Sequence, residues 1–505
     1  MSKISIDLHR MAKFANLAIP VFTVVFLLGG IYLSFYLHFG TVTFFFITII
    51  NFFYRHVQKD HTVLRNFGIL GQARYMMESI GPELRQYFFA NDTEERPFNR
   101  EERSEVYRKS KNIDSASSFG SQTNFDANEI KIRHSLFPAP VQSIEPFQLI
   151  FGEERGIKNT HTFDHPIAIS AMSFGALGEN AVRALARGAK KSGVTMNTGE
   201  GGFPKYHLLE KSDLIFQIGT AKFGVRNEDG TLHDEKLREL AKLPEIKMIE
   251  IKLSQGAKPG KGGLLPKEKI TPEISELRGV SPDKDVVSPS SHPECNSLAS
   301  TVAFIGRVQE VSQLPVGIKL CMGSTDEFRQ LVVEMKTQNI HPDYISIDGG
   351  EGGTGAAPKA FMDTYGMPLL PALHNAHTIL TEVGLRDQMK LMAAGKLINP
   401  ARQMIAFCLG ADAIYSARGF MLSLGCIQAL QCGNNTCPVG ITTHDPTLQG
   451  GLDVELKSGR VQHYVENLEH DLYQLVAATG KTCPRQLSIS DLYIPSGTTL
   501  ATHLN

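Results

Sequence analysis

Eight short apolar runs, several of them ending in a glycine-rich or polar loop, constrain the fold of this chain more than any other feature. They are IAIS (167–170), TMNTG (195–199), LIFQI (214–218), MIEIK (248–252), VGIKL (316–320), YISID (344–348), LMAAG (391–395) and AIYS (413–416). Between several of them lie stretches such as GENAVRALARGAKKSG, with apolar residues at helical spacing. Eight strand-then-helix units point to an α/β chain closed into a (β/α)8 TIM barrel rather than to an open doubly wound sheet. Active sites of such barrels form from the loops at the C-terminal ends of the strands. Here SAMSFGA, NTGEGG, SQGAKPGKGG, DGGEGGTG, AAGKL and SARGF occupy those places. A long excursion between Ser254 and Leu314 is expected to cross the barrel mouth as an insertion.

The N-terminus obeys a different rule. No Asp, Glu, Lys or Arg occurs between Lys13 and Arg55. Leu17–Tyr36 is an apolar run of about the length that spans a hydrocarbon core. A shorter run, Thr41–Tyr54, follows. The pattern predicts a transmembrane helical hairpin turning near His38–Gly40. The alternative is one span followed by an interfacial aromatic segment. Arg10 and Lys13 precede the hairpin, Arg55 and Lys59 follow it, and its turn carries neither Lys nor Arg. Both ends, and the catalytic body with them, are then expected to be cytoplasmic and held at the membrane. The apolar stretch is too long for a cleaved signal peptide, and no small-residue cleavage site follows it. Three regions are therefore expected: a membrane anchor at 1–57, a polar, helical connecting region at 58–136 and the barrel at 137–505. A small-residue loop is expected at 115–125.

Basic and acidic residues balance to a net charge of −1, so nothing favours nucleic acid as a partner. The seven cysteines all lie at or beyond Cys295, which suits metal or redox work in a reducing compartment rather than a disulfide framework. Three of them, Cys426, Cys432 and Cys437, share the loop GCIQALQCGNNTCPVGITT (425–443) at spacing C-x5-C-x4-C, with Pro438 directly after the last. Cysteine thiolates hold iron–sulfur clusters, and a proline after a ligand recurs in such loops. Three ligands without a fourth suit a 3Fe–4S cluster better than a four-iron cube. Structural zinc commonly uses four ligands with a closer cysteine pair. The spacing alone leaves buried, inert cysteines as an equal reading.

GEGGTG (350–355) fits G-x-G-x-x-G, but Pro358 and the HNAH region at His374–His377 do not supply the helix and the acidic residue that a dinucleotide site needs. A glycine loop admitting a flavin or its phosphate, through Gly352, Gly353 and Thr354, fits better. The usual phosphate site of these barrels, in the loops after the last two strands, falls near Gly395 and Arg418. Loop glycines without a ligand remain the plain alternative.

SAMSFGALGENAVRALARGA, NTGEGG, KFGV, IEIKLSQGAKPGKGG, DGGEGGTGAAP, LRD and NTCPVGITT occur in one order. Together they resemble the FMN-binding synthase domain of glutamate synthase over roughly residues 140 to 495. The resemblance implies FMN at the barrel mouth and a 3Fe–4S cluster on Cys426, Cys432 and Cys437. It also implies reductive amination of 2-oxoglutarate to L-glutamate through 2-iminoglutarate. A dicarboxylate needs cationic partners, for which Lys252 and Lys258 are the candidates, with Gln255 as a donor. Surface solvation is the plain alternative for both lysines. Glu200 would meet ammonia or the iminium group as base or electrostatic partner, or is simply solvated in its loop. The backbone of Ala171 and Met172 and the hydroxyl of Ser173 would line the isoalloxazine. Lys319 would place positive charge beside N1 and O2, unless it is a core lysine with a carboxylate partner.

Departures from the family shape the expected partners. The amidotransferase domain of the large enzyme and its C-terminal β-helix are expected to be missing here. The amine is then expected from a separate glutamine amidotransferase subunit or free ammonia. Electrons are expected from ferredoxin, an NAD(P)H reductase subunit or a membrane carrier. Ser254 and Lys261 stand where Ala and Glu are expected, and Lys261 adds positive charge to the substrate loop. Competing readings are an N-methylglutamate synthase-like enzyme, a non-catalytic membrane electron relay or scaffold, and a nucleotide dehydrogenase using Cys295 or Cys321.

Overall fold

The computed structural model describes residues 8–113, 116–121, 129–498 and 500–501; the expected small-residue loop at 115–125 lies partly outside them. The chain divides into two compact units, Met1–Arg100 and Glu101–Asn505. The body thus starts well before Phe137. Helix α4 (Arg100–Ser110) carries Lys109, which is buried and ion-paired to Asp471 of the C-terminal helix.

In the first unit, helices α1 (Leu8–Tyr32) and α2 (Leu37–Phe52) form a hairpin, and α2 runs on through a π-helical turn at Phe53–Val57. Both are long and apolar enough to cross a membrane. The turn falls at residues 33–36, a few residues before the expected His38–Gly40. Gly40 is a helix-contact residue, not a turn residue. A Cβ there would meet the Phe26 ring at 2.5 Å, and one at Gly30 would meet the His38 ring at 2.5 Å. Small residues let two helix backbones approach closely, and Phe26 then stacks on Phe44 with centroids 5.4 Å apart. Asn51, buried near the end of α2, donates to Asn16 Oδ1 (3.1 Å) and accepts from the Ile69 N–H (2.8 Å). That bond fixes the chain after the hairpin. Helix α3 (Gln72–Leu84) follows, extended by a π-helical turn at Arg85–Phe89.

The second unit is a closed parallel barrel of eight strands. They are β1 (Ile167–Ile169), β2 (Met196–Asn197), β3 (Leu214–Ile218), β4 (Ile246–Lys252), β5 (Val316–Leu320), β6 (Tyr344–Asp348), β7 (Lys390–Ala394) and β8 (Ala413–Ser416). All eight coincide with the apolar runs, because strands covered on both faces need no polar alternation. Only β2 is much shorter than its run. The helices between them are α5 (Glu179–Ser192), α6 (Asp234–Ala241), α7 (Leu298–Ser312), α8 (Thr325–Gln338), α9 (Leu369–Val383), α10 (Pro400–Cys408) and α11 (Arg418–Leu424). After β2 there is a single helical turn, Lys205–Leu208. Caps set several helix starts: Ser297 accepts from the Ser300 N–H, Ser324 from Glu327 and Asn399 from Arg402. The excursion after β4 is shorter than expected, because its last part, Leu298–Ser312, is the barrel helix α7 itself.

The long helix α12 (Val454–Ala478) lies against α5. Gly188 makes this crossing close, since a Cβ there would stand 2.4 Å from Val461 Cβ. At the N-terminal end of the strands an antiparallel hairpin, Leu149–Phe151 with His161–Phe163, plugs the barrel. Its Leu149, Phe151 and Phe163 share one apolar cluster with Ile215, Met248, Tyr344 and Tyr415. Gly317 leaves room for the Tyr344 ring, which a Cβ would touch at 2.2 Å.

Candidate active site

Strand register builds the centre of the site. Lys252 of β4 and Lys319 of β5 are direct partners in the parallel ladder, so two cations stand side by side at the C-terminal rim. Both are nearly buried, at 9% and 6% exposure. Each has a carboxylate. Lys252 Nζ donates to Glu200 Oε1 (2.6 Å), and Lys319 Nζ lies 3.5 Å from Asp348 Oδ2. Burial pushes the Glu200 carboxyl up, but Lys252, with Lys258 and Arg278 beyond it, outweighs burial and holds its pKa below the ordinary value. Burial likewise works against the Lys319 charge, and Asp348 and Glu250 outweigh it, so the Lys319 pKa is raised.

A cleft opens above this pair, lined by Glu200, Lys252, Gln255, Lys261 and Ser290 among others. It brings together four residues that the sequence placed near the substrate. Lys258 is tied differently: buried, its Nζ donates to the Ala356 carbonyl at 2.7 Å and so braces the glycine loop after β6. Burial, then repulsion from Lys252, lowers its pKa to about 8. Ser254, also in the cleft, accepts from the Cys321 N–H (2.9 Å) and joins the rims of β4 and β5. Cys321 and Cys295, the thiols of the dehydrogenase reading, are pushed up to about 12 and about 11, in each case mainly by burial. As thiols they are poor nucleophiles near neutrality.

Three further groups escaped sequence reasoning. Arg278 ends a seven-residue helix (Pro272–Arg278) within the excursion; its Nη2 donates to the Phe174 carbonyl (2.8 Å), while Nε is buried without a partner. Burial lowers its pKa to about 10, opposed by Glu200. The Thr271–Pro272 start and Gly279 stop signal that helix, but no local pattern tells where its guanidinium goes. Glu250, one layer below Lys252, is fully buried and accepts from Gln217 (2.7 Å) and Asn197 (2.9 Å). Its other oxygen has no partner, and burial raises its pKa despite Lys319. Lys269, also buried, donates to the carbonyls of Ala176 and Cys432 and so links the loop after β1 to the cysteine loop.

The remaining expected residues lie on the loops after β1, β6, β7 and β8. Ala171, Met172 and Ser173 follow β1, and Gly199 packs on them: a Cβ there would meet the Ser173 nitrogen at 2.7 Å. Gly353 lies against the Arg418 side chain, where a Cβ would meet Cδ at 2.9 Å. Arg418 Nη2 donates to the Glu351 carbonyl (2.7 Å), and Gly395 adjoins the Glu351 carboxyl and Leu369. Gly352, Gly353, Thr354, Gly395 and Arg418 thus belong to one corner, with close-packed glycine backbone and a half-buried guanidinium. That donor set, with Lys319 beside it, fits a flavin phosphate and ring.

Cys426, Cys432 and Cys437 occupy the loop after α11, which curls through positive φ at Gly425, Gln428, Leu430 and Asn435. Among the described residues no three His, Cys, Asp or Glu side chains are grouped closely enough to hold one ion. Each thiolate of an iron–sulfur cluster binds its own iron, so a cluster does not require that crowding. Burial raises Cys426 to about 11, and the neighbouring Cys432 and Cys437 thiols add to this. Burial opposes the Cys437 thiolate too, but the Thr442 hydroxyl and the N–H groups of Thr442, Val439 and Ile441 outweigh it and lower its pKa. Tyr107 donates to the Cys426 carbonyl (2.5 Å), and Lys269 adds positive charge near Cys432 and Cys437. The donors around Cys437 and the Lys269 ammonium favour thiolate at this end of the loop, the form in which a cysteine would hold a cluster.

A family model described as a conserved region in glutamate synthase matches residues 100–482. The glutamate synthase large subunit-like protein YerD of Bacillus subtilis is 39% identical over 469 residues, covering 85% of this chain and 89% of that protein. The archaeal glutamate synthase (NADPH) of Methanocaldococcus jannaschii is 35% identical over 317 residues, covering 63% of this chain and 59% of that protein. A solved structure of a mutant flavocytochrome b2 with benzoylformate superposes at TM-score 0.48 and 15% identity, over 80% of this chain and 81% of that one.

Proposed function

The chain belongs to the glutamate synthase family of oxidoreductases, and from that premise we propose that it aminates 2-oxoglutarate reductively to L-glutamate. One observation carries the choice of substrate. Lys252, Lys258 and Arg278 all act on the single carboxylate of Glu200, so the pocket holds more positive charge than it neutralises. A dicarboxylate supplies the missing negative charge.

Glu200, kept ionised by Lys252, accepts the proton that the amine nitrogen sheds on adding to the keto carbon. Returned to the keto oxygen, that proton makes the carbinolamine hydroxyl, and the carboxylate, ionised again, stabilises the iminium form of 2-iminoglutarate once the hydroxyl leaves as water. Lys252 Nζ, bonded to the same carboxylate, is placed to donate a proton to the departing hydroxyl. Lys258, Arg278 and Gln255 hold the substrate carboxylates. Ala171, Met172, Ser173, Lys319, the glycine loop, Gly395 and Arg418 would hold FMN, which supplies hydride when bound. Cys426, Cys432 and Cys437 would hold a 3Fe–4S cluster, which would supply one-electron transfer; the external donor would be ferredoxin or an NAD(P)H reductase subunit. The amine comes from ammonia or a separate amidotransferase subunit. The hairpin α1–α2 anchors the enzyme in a membrane, with the barrel on the cytoplasmic side.

Anaerobic purification followed by flavin and iron analysis tests the reading, with dithionite-reduced protein then mixed with 2-oxoglutarate and ammonium. The expected result is bound FMN, cluster iron and flavin reoxidation that needs both reagents. Protein that stays colourless and iron-free after reconstitution, or flavin that no keto-acid and amine pair reoxidises, overturns it.

A further inference from the structure

Among the described residues of the first unit, nothing covers one apolar face of helix α3 and its π-helical extension. Met76, Met77, Ile80, Tyr87 and Phe88 are 56%, 51%, 41%, 51% and 77% exposed. Positions 76, 80, 84 and 87 follow one helical stripe, and 77 and 88 flank it. Arg74, Glu78 and Arg85 lie on the opposite face, where Arg74 pairs with Glu78 at 2.6 Å. An exposed apolar stripe of this kind marks an interaction surface.

The place where α3 starts says what covers it. Gln72, its first residue, donates to the Tyr54 hydroxyl (2.7 Å) in the last turn of the hairpin. Asn51 holds the Ile69 N–H just before it. The helix therefore starts where α2 ends, level with Arg55 and Lys59. From Arg55 to Phe89 the basic residues Arg55, Lys59, Arg65, Arg74 and Arg85 outnumber Asp60, Glu78 and Glu83, the excess lying at the hairpin end of the segment. An amphipathic helix with large apolar residues on one side and arginines on the other lies in the headgroup layer of a bilayer. We infer that Gln72–Phe89 is a surface-lying membrane helix that embeds Met76, Ile80, Phe88 and their neighbours in an anionic leaflet beside the hairpin. This rests on the reading of α1–α2 as a membrane anchor and adds a second, in-plane attachment to it.

The protein contains no tryptophan, so single-tryptophan variants report one site each. The full chain is reconstituted into vesicles of phosphatidylcholine and phosphatidylglycerol with brominated acyl chains. Three variants are compared: F88W beside the stripe, E78W on the polar side of α3 and F45W within the hairpin. F88W should show blue-shifted emission, lost mainly to bromines near the headgroup end of the chains. E78W should keep its emission, and F45W should lose its emission mainly to bromines deep in the bilayer. Quenching of F45W without quenching of F88W leaves the anchor standing and overturns the surface helix. A blue-shifted but unquenched F88W also overturns it, because a second copy or another protein then covers the stripe. If neither F45W nor F88W is quenched, the membrane anchor fails and the surface helix fails with it.

Discussion

Burial pushes the Glu200 carboxyl up, yet Lys252 at 2.6 Å outweighs it and holds the pKa below the ordinary value. A base that stays charged without solvent is useful only if the compensating cation is fixed, and the β4 ladder fixes Lys252. Glu200→Gln keeps the shape and removes the proton acceptor. It should lower amination by about 100-fold or more while flavin and iron contents stay unchanged, checked by reoxidation kinetics. Lys258 gives a pH signature. Its pKa is lowered to about 8, so it loses its charge as pH rises through that value and the pocket holds a dianion less well. The KM for 2-oxoglutarate should climb above about pH 8 with little change in kcat. In Lys258→Met the KM should be raised by about tenfold or more and this pH dependence lost. Glu200, Lys252 and Gln255 were legible as polar residues on loops or strand ends within recognisable motifs. Arg278 and Lys269 were not, because each reaches its target from the excursion after β4, and only tertiary folding brings that segment over the mouth.

At the scale of elements, the eight strands were readable because each is buried on both faces and so writes itself as a continuous apolar run. The hairpin turn was misplaced for the converse reason: Gly40 reads locally as a turn former, while its use is to admit the Phe26 ring between two helices. The same logic marks the α5–α12 crossing, where Gly188 faces Val461 and the Ser458 carbonyl. Gly188→Ala improves helix propensity by about 1 kcal/mol, yet it forces a methyl to 2.4 Å from Val461 Cβ. Overpacking should win, with a net loss of about 1–3 kcal/mol and a lower Tm by calorimetry. Pairing the change with Val461→Ala should restore part of the loss.

At the scale of the molecule, stability should depend on acid through buried histidines. His207 and His292 each have one ring nitrogen bonded to a backbone carbonyl and the other buried without a partner. Burial lowers both from 6.5 to about 4. The unfolded chain therefore takes up protons that the folded one refuses, and stability falls as pH drops from about 6.5 to about 4, with no further loss from these groups below that. Each contributes roughly 3 kcal/mol across this window. Thermal unfolding measured from pH 7 to pH 4 should show the decline, less steep in His207→Gln.

The sealed lower end of the barrel has a consequence for traffic. With Leu149, Phe151 and Phe163 packed beneath the staves, the described residues leave the lower end filled. In the proposed reaction keto acid, nitrogen source and finished product would share one doorway, while electrons would arrive by way of the cysteine loop, so turnover becomes a queue. Whatever lingers at that threshold sets the pace for everything behind it.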